Sequence, residues 1–292
     1  MTRLPTTIAT LLTCGALLGT TGCQDNGLRQ LNFGKTAIVT GDFDTVEQLI
    51  QEVANVSDVQ AEIHRYHGYV DGPHFETEVS AAPSLQVEDL LRGNINTLST
   101  FSTVFFSCGM RGVGEFRYNG VAEDDHLVID GTVIDNLQTT AARGANLYFS
   151  DWTYDFVKAA WPDQISWLGG NDLDAAQKGI AGPIAARVVN EALAEQMEVP
   201  VGTQIEIEFN QGGWAVIEEV GDDVEVLVEG DVLVDDVDSG QPRALSNVPL
   251  VVAFDSPTGS GRIVYTAFHN EAQLTDDARD VLRFQLGRLA GN

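Results

Sequence analysis

Residues 259–273, GSGRIVYTAFHNEAQ, decide how the rest of the chain is read. Glycine and serine open a turn. The β-branched and aromatic run that follows reads as a short buried strand. The chain then leaves sharply and presents His269 and Glu271. Beyond it, Thr275 followed by Asp276 and Asp277 starts a helix running to Leu289. A threonine hydroxyl accepts from first-turn N–H groups, and the two carboxylates complement the helix dipole.

The N-terminal half alternates between the same two patterns. Thr36–Gly41 (TAIVTG) is a short strand, and Asp44-Thr45 precede a helix from Val46 to about Ala54. Gln60–Tyr66 alternates like a strand, and Ser84–Leu91 suggests a short helix. Phe101–Ser107 (FSTVFFS) is a buried strand ending at Cys108-Gly109. Leu127–Ala142 has helical spacing, Asn146–Phe149 (NLYF) is a strand, and Asp151–Ala160 is helical up to Pro162. Strands and helices joined by short connections predict an α/β sandwich, a parallel sheet covered by helices on both faces. Sites in such folds form at the carboxyl ends of strands. This chain places Asp42, Cys108, Ser150-Asp151 and His269 there.

The C-terminal half changes character. Residues 172–197 are rich in alanine and helix formers, with a cap or kink at Gly182-Pro183. A β-rich insertion is expected over about 200–245. Thr203–Phe209 alternates strictly, and DVEVLVEGDVLVDDV reads as a strand pair turning at Gly230-Asp231. The acidic residues between Glu218 and Asp238 fall mostly on alternate positions, as on the wet face of a hairpin. A calcium site would need a ligand pattern such as the EF-hand loop, which is not present.

Charge narrows the function classes. The 292 residues hold 43 acidic and 16 basic side chains, a formal net charge of −27. Such a surface repels nucleic acid, which is bound through clustered Lys and Arg. At the N-terminus, Arg3, the apolar run Ile8–Leu18 and the sequence GTTGC form the order of a secretory signal. The apolar run is too short to span a bilayer. Cys23 after Thr21-Gly22 resembles a bacterial lipoprotein signal, with Thr20 where that pattern prefers an aliphatic residue. The resemblance implies residues 1–22 as signal peptide, lipid (palmitate) on Cys23, a tether over 23–35, and one domain over 36–292. The protein would then be held in the cell envelope, facing the periplasm or the surface; plain secretion is the alternative. Cys14 would be lost with the signal, leaving Cys108 as the free thiol and no internal disulfide.

Three segments, TVFFSCG (103–109), ANLYFSDWTYDFVKAAWP (145–162) and GRIVYTAFHNEAQ (261–273), together resemble bacterial envelope proteins with a class I glutamine amidotransferase-like domain, a superfamily that includes the trehalose-utilisation-type domains. In such enzymes a cysteine on a strand-to-helix elbow is the nucleophile, and a late His-Pro-Glu supplies the base and its orienter. Here Phe268-His269-Asn270-Glu271 is similar to the late motif, with Asn270 in place of proline. The elbow falls at LYFSDWTYD, which holds Ser150 and Asp151 and no cysteine.

The candidate residues follow. His269 with Glu271 offers a general base and its partner, and Ser150 or Cys108 a nucleophile. Asp151 reads as a structural acceptor at a helix start, and Asp42 as another strand-end residue. His64, His67 and His74 could bind zinc, but His64 and His67 on one strand point to opposite faces. No metal or other cofactor is expected. Two function classes follow: a non-catalytic, degenerate domain binding a ligand or protein partner at the membrane, and a hydrolase with a Ser/Cys-His-Glu arrangement.

Overall fold

Short runs of β-branched and aromatic residues become the strands of a parallel core. A computed structural model describes residues 33–41, 46, 50, 62–68, 85–110, 127–170, 177–209, 213–235, 240–269 and 275–290. The first half forms β1 (Lys35–Val39), β2 (Glu62–His67), β3 (Leu85–Gln86), α1 (Val87–Leu91), α2 (Ile95–Leu98), β4 (Thr103–Phe106), α3 (Gly131–Ala142) and β5 (Asn146–Ser150). A single 3-10 turn, Asp151–Thr153, then leads into α4 (Tyr154–Ala160). The second half adds β6 (Ile165–Trp167), β7 (Lys178–Gly179), β8 (Gly182–Val188), α5 (Glu191–Gln196), β9 (Gln204–Phe209), β10 (Trp214–Ala215) and β11 (Ile217–Val220). It continues with β12 (Glu225–Asp235), β13 (Pro242–Asp255), β14 (Arg262–Thr266) and α6 (Asp276–Leu289).

Strands β3, β2, β1, β4, β5 and β14 lie side by side in that order, all parallel. β13 and β12 extend the sheet antiparallel beyond β14. This is the expected α/β fold with a mainly parallel sheet. The chain builds outward from β1 to β3, then returns to place β4 on the other side of β1. Ligand crevices form at such a reversal of strand order. Consecutive residues of the central strands are buried, including Val104, Phe105 and Phe106, Leu147, Tyr148 and Phe149, and Ile263, Val264 and Tyr265. Side chains on both faces of the sheet are therefore covered, as in parallel sheets generally.

The helix ends follow local chemistry. Thr275 Oγ1 accepts from Ala278 N at 3.0 Å, which starts α6 where its sequence predicts. α3 starts later than its apolar spacing suggests, because Asp130 caps it by accepting from Thr132 N and Val133 N. Gly131 is thus the first helical residue and not an interior weak point. Of the helix expected from Val46, Val46 and Ile50 are described; both are helical and buried.

Two expectations fail in the C-terminal half. Within 172–197 only α5 is helical among the described residues; Gly182–Val188 is a strand paired with β9 and β12. Its inward positions are Ile184, Ala186 and Val188, so alternation at period two outweighs the helix propensity of its alanines. The second failure is the turn at Gly230-Asp231. β12 runs straight through both residues, antiparallel to β13. Gly230 sits at a shift of register instead, and a Cβ there would stand 2.8 Å from Ile184 Cγ2 and 2.9 Å from Leu250 Cδ1. The glycine marks a close approach of neighbouring side chains, which sequence alone does not distinguish from a turn. The acidic positions Asp231 and Asp235 do face solvent.

Candidate active site

β5 lies between β4 and β14, with Phe106 opposite Phe149 and Thr266 opposite Ser150. Neighbouring strands are about 4.8 Å apart, so residues just past their carboxyl ends can meet. Cys108 follows β4, Asp151 follows β5 and His269 follows β14. The imidazole of His269 reaches both partners through Nε2: Cys108 Sγ at 2.9 Å and Asp151 Oδ2 at 2.7 Å. The third side of the triangle, Cys108 Sγ to Asp151 Oδ2, is 3.6 Å. All three residues are buried, with exposures of 0%, 2% and 4% for Cys108, Asp151 and His269.

The backbone around Asp151 is held in an uncommon conformation. Its φ is +42°, in the left-handed region that non-glycine residues seldom occupy. The turn is clamped from several sides. Tyr265 donates its hydroxyl to Asp151 O at 3.1 Å, and Thr153 Oγ1 donates to Ser150 O at 2.8 Å. Ser150 Oγ accepts from Cys108 N at 2.9 Å, tying the end of β5 to the residue that carries the thiol. Strain of this kind persists where surrounding contacts over-determine it, and it clusters at functional sites.

Charge sets the protonation of the imidazole. Burial alone would lower the pKa of His269, but Cys108 and the Asp151 carboxylate, through their charge interactions and hydrogen bonds, outweigh it and push it up to about 12. The ring is therefore an imidazolium with the Asp151 carboxylate and the Cys108 sulfur both on Nε2. Tyr265 is raised well above the usual phenol value, first by burial and then by Asp151 and Cys108, so it stays a neutral donor. The ring-nitrogen chemical shifts of His269 should accordingly remain those of an imidazolium from neutral pH up toward pH 12. A titration centred near the ordinary value of about 6.5 would contradict this arrangement.

In a relay of nucleophile, histidine and acid, the acid holds the ring nitrogen opposite the nucleophile. Here thiol and carboxylate share Nε2. Asp151 is a counter-charge to the imidazolium rather than the far member of such a relay.

Of the residues singled out in the sequence, Cys108 and His269 are brought together directly. The hydroxyl of Ser150 is engaged with β4, accepting from Cys108 N and donating to Phe106 O at 3.5 Å. Asp151 differs from its expected role. The cap residue of the 3-10 turn is Ser150, which makes no side-chain capping bond, and the Asp151 carboxylate contacts His269 Nε2. Its place at the strand end beside Cys108 and His269 was the available signal. His64 packs edge-on against Phe101 at 5.3 Å between ring centroids. Glu271, Asp42, His74 and Cys23 lie outside the described residues. Gly41, two residues past β1, is a participant that sequence reasoning missed. A Cβ there would fall 2.0 Å from the carbonyl oxygen of Cys108.

No family model and no curated protein matches the chain. Solved structures do show similarity. PurLQS from Thermotoga maritima aligns over 89% of this chain and 99% of its own, at 12% identity and a TM-score of 0.47. SMU.1228c aligns over 88% and 99%, at 9% identity and a TM-score of 0.46. Exo-beta-1,4-mannosidase Op5Man5 from Opitutaceae bacterium strain TAV5 aligns over 88% of this chain, at 12% identity and a TM-score of 0.40. The aligned region spans 35% of that mannosidase. At this level of likeness the fold assignment rests on the strand order itself.

Proposed function

We propose that the protein is a thiol hydrolase in which Cys108 is the nucleophile and His269 its proton partner. The observation that carries this reading is the 2.9 Å contact between Cys108 Sγ and His269 Nε2. A thiolate beside an imidazolium is the reactive form of cysteine, because the thiolate is the nucleophile. Asp151 supports the pair by keeping the imidazole protonated. The resemblance to amidotransferase-like domains suggests an amide as substrate, with the thiol supplied from the strand end beside the elbow.

The reaction is an acyl transfer to water. The Cys108 sulfur attacks the carbonyl carbon of an amide or ester. The leaving amine or alcohol takes its proton from His269 as the C–N or C–O bond breaks, which leaves a thioester on Cys108. Water then adds to the thioester and gives a proton to the now neutral His269. The C–S bond breaks, the acid product leaves, and the thiolate–imidazolium pair is restored. The three side chains are buried in this state, so turnover requires the site to open.

The test is incubation with activated esters and amides, followed by mass spectrometry of the quenched protein. An acyl adduct on the peptide containing Cys108, absent in Cys108→Ser, is expected. Equal hydrolysis by wild type and Cys108→Ser, with no adduct, would overturn the assignment.

The burial of all three side chains favours a second reading, a domain that binds a ligand or protein partner without turnover. It predicts no acyl adduct with any substrate class.

We also propose that the mature chain is anchored in the bacterial envelope by a lipid on Cys23. Support comes from the order Arg3, apolar run, small residues, cysteine. Intact-mass analysis should find an acylated N-terminal Cys23; an unmodified terminus at another residue would sink this proposal.

A further inference from the structure

We propose that Cys108 Sγ, His269 Nε2 and Asp151 Oδ2 form a binding site for one divalent cation of borderline softness, with zinc the best match. The three atoms come from the ends of three adjacent strands and converge on one point, with separations of 2.9, 2.7 and 3.6 Å. A thiolate, an imidazole and a carboxylate are the ligand types zinc takes. Magnesium and calcium instead require sets of oxygen ligands, which a sulfur and a nitrogen do not provide.

The geometry is close to what the ion needs. Metal–sulfur bonds of about 2.3 Å and metal–nitrogen or –oxygen bonds of about 2.0–2.2 Å place tetrahedral ligand atoms roughly 3.3–3.6 Å apart. The sulfur–oxygen separation already fits. The two contacts to Nε2 must open by roughly 0.6–0.7 Å, a change within reach of small side-chain rotations. The cation takes the place of the proton that the two anions share on Nε2. Three protein ligands leave a fourth position for water, the pattern of sites that are not purely structural.

The two anions offset the charge of the ion, and the sheet core holds each ligand in place. Ser150 Oγ on Cys108 N and Tyr265 on Asp151 O position the ligand-bearing backbones, as outer partners do around metal sites. Where the hydrolase reading holds, on which this consequence rests, the ion occupies the sulfur lone pair and makes a reversible off-state. The binding itself does not depend on that reading.

The experiment is a cobalt titration of the full chain after treatment with a chelator. A sulfur-to-cobalt charge-transfer band in the near ultraviolet and strong visible bands of four-coordinate cobalt are expected, saturating at one ion per chain and removed by zinc. Cys108→Ser should lose the near-ultraviolet band, which excludes Cys14 and Cys23 as its source. Asp151→Asn should weaken binding at least about tenfold, with circular dichroism confirming that each variant is folded. Folded wild-type protein lacking these bands in excess cobalt would overturn the site whatever the variants do, as would retention of the ultraviolet band in Cys108→Ser. Cobalt bands, with no acyl adduct on Cys108 even in the chelator-treated, metal-free protein, would support the metal site and overturn the hydrolase reading. An adduct without cobalt bands would do the reverse.

Discussion

His269→Gln is expected to abolish the thiolate at Cys108 and to slow acyl transfer by about 10²–10⁴-fold, the range associated with loss of a positioned proton-transfer group. Cys108 Sγ and Asp151 Oδ2 are 3.6 Å apart and buried. With the imidazolium gone, two adjacent anions would remain in a site of low polarity. Like charges that close cannot both stay ionised away from water, so one takes up a proton. The thiolate is the more basic of the two, with an ordinary pKa of about 8.5 against about 3.9 for an aspartate, so the proton goes to sulfur and the leaving group also loses its proton donor. Single-turnover acylation compared between wild type and His269→Gln checks this. An unchanged rate would show that His269 plays no part in the chemistry.

The second large effect is expected from a residue that carries no chemistry. Gly41→Ala places a Cβ 2.0 Å from Cys108 O and 2.9 Å from Ser107 O. Both obstacles are backbone atoms, so rotation of a side chain cannot relieve them. Either β1 or the segment bearing Cys108 must move. Overpacking of this kind costs about 1–3 kcal/mol and occasionally more. The contact between Cys108 and His269 should be lost with it, because an ångström of displacement is enough to break a hydrogen bond. The expected result is a lower denaturation midpoint together with loss of the acyl adduct. Retention of both wild-type stability and the adduct would show that the end of β1 does not position the thiol.

The parallel core was legible because its strands are dense runs of β-branched and aromatic residues bounded by polar breaks. FSTVFFS, NLYF and RIVYT each became a central strand. Thr275 was legible as a cap because its chemistry is local. Gly182–Val188 was not, since its alanines suit a helix and only pairing with β9 and β12 makes it a strand. Gly230 was misread for a similar reason. Its requirement comes from Ile184 and Leu250, which are far away in sequence.

The site was legible in part. Strand ends pointed to His269 as a base with Ser150 or Cys108 as its nucleophile, and Asp151 fell within the predicted elbow. Their meeting depends on β5 lying between β4 and β14, a matter of strand order that no local pattern encodes. The same is true of Gly41, whose contact with the Cys108 carbonyl follows from β1 lying next to β4. Asp151 was read as a cap because an aspartate at a helix start usually accepts from backbone N–H groups. The left-handed turn at φ +42° and the charge on His269 direct its carboxylate elsewhere.

A thiolate–imidazolium pair of Cys108 and His269 has an ultraviolet signature. It is read as the absorbance difference between wild type and Cys108→Ser across pH. A paired thiolate gives a full difference signal at pH well below the ordinary thiol value of about 8.5. A signal that develops only above that value would contradict the pair.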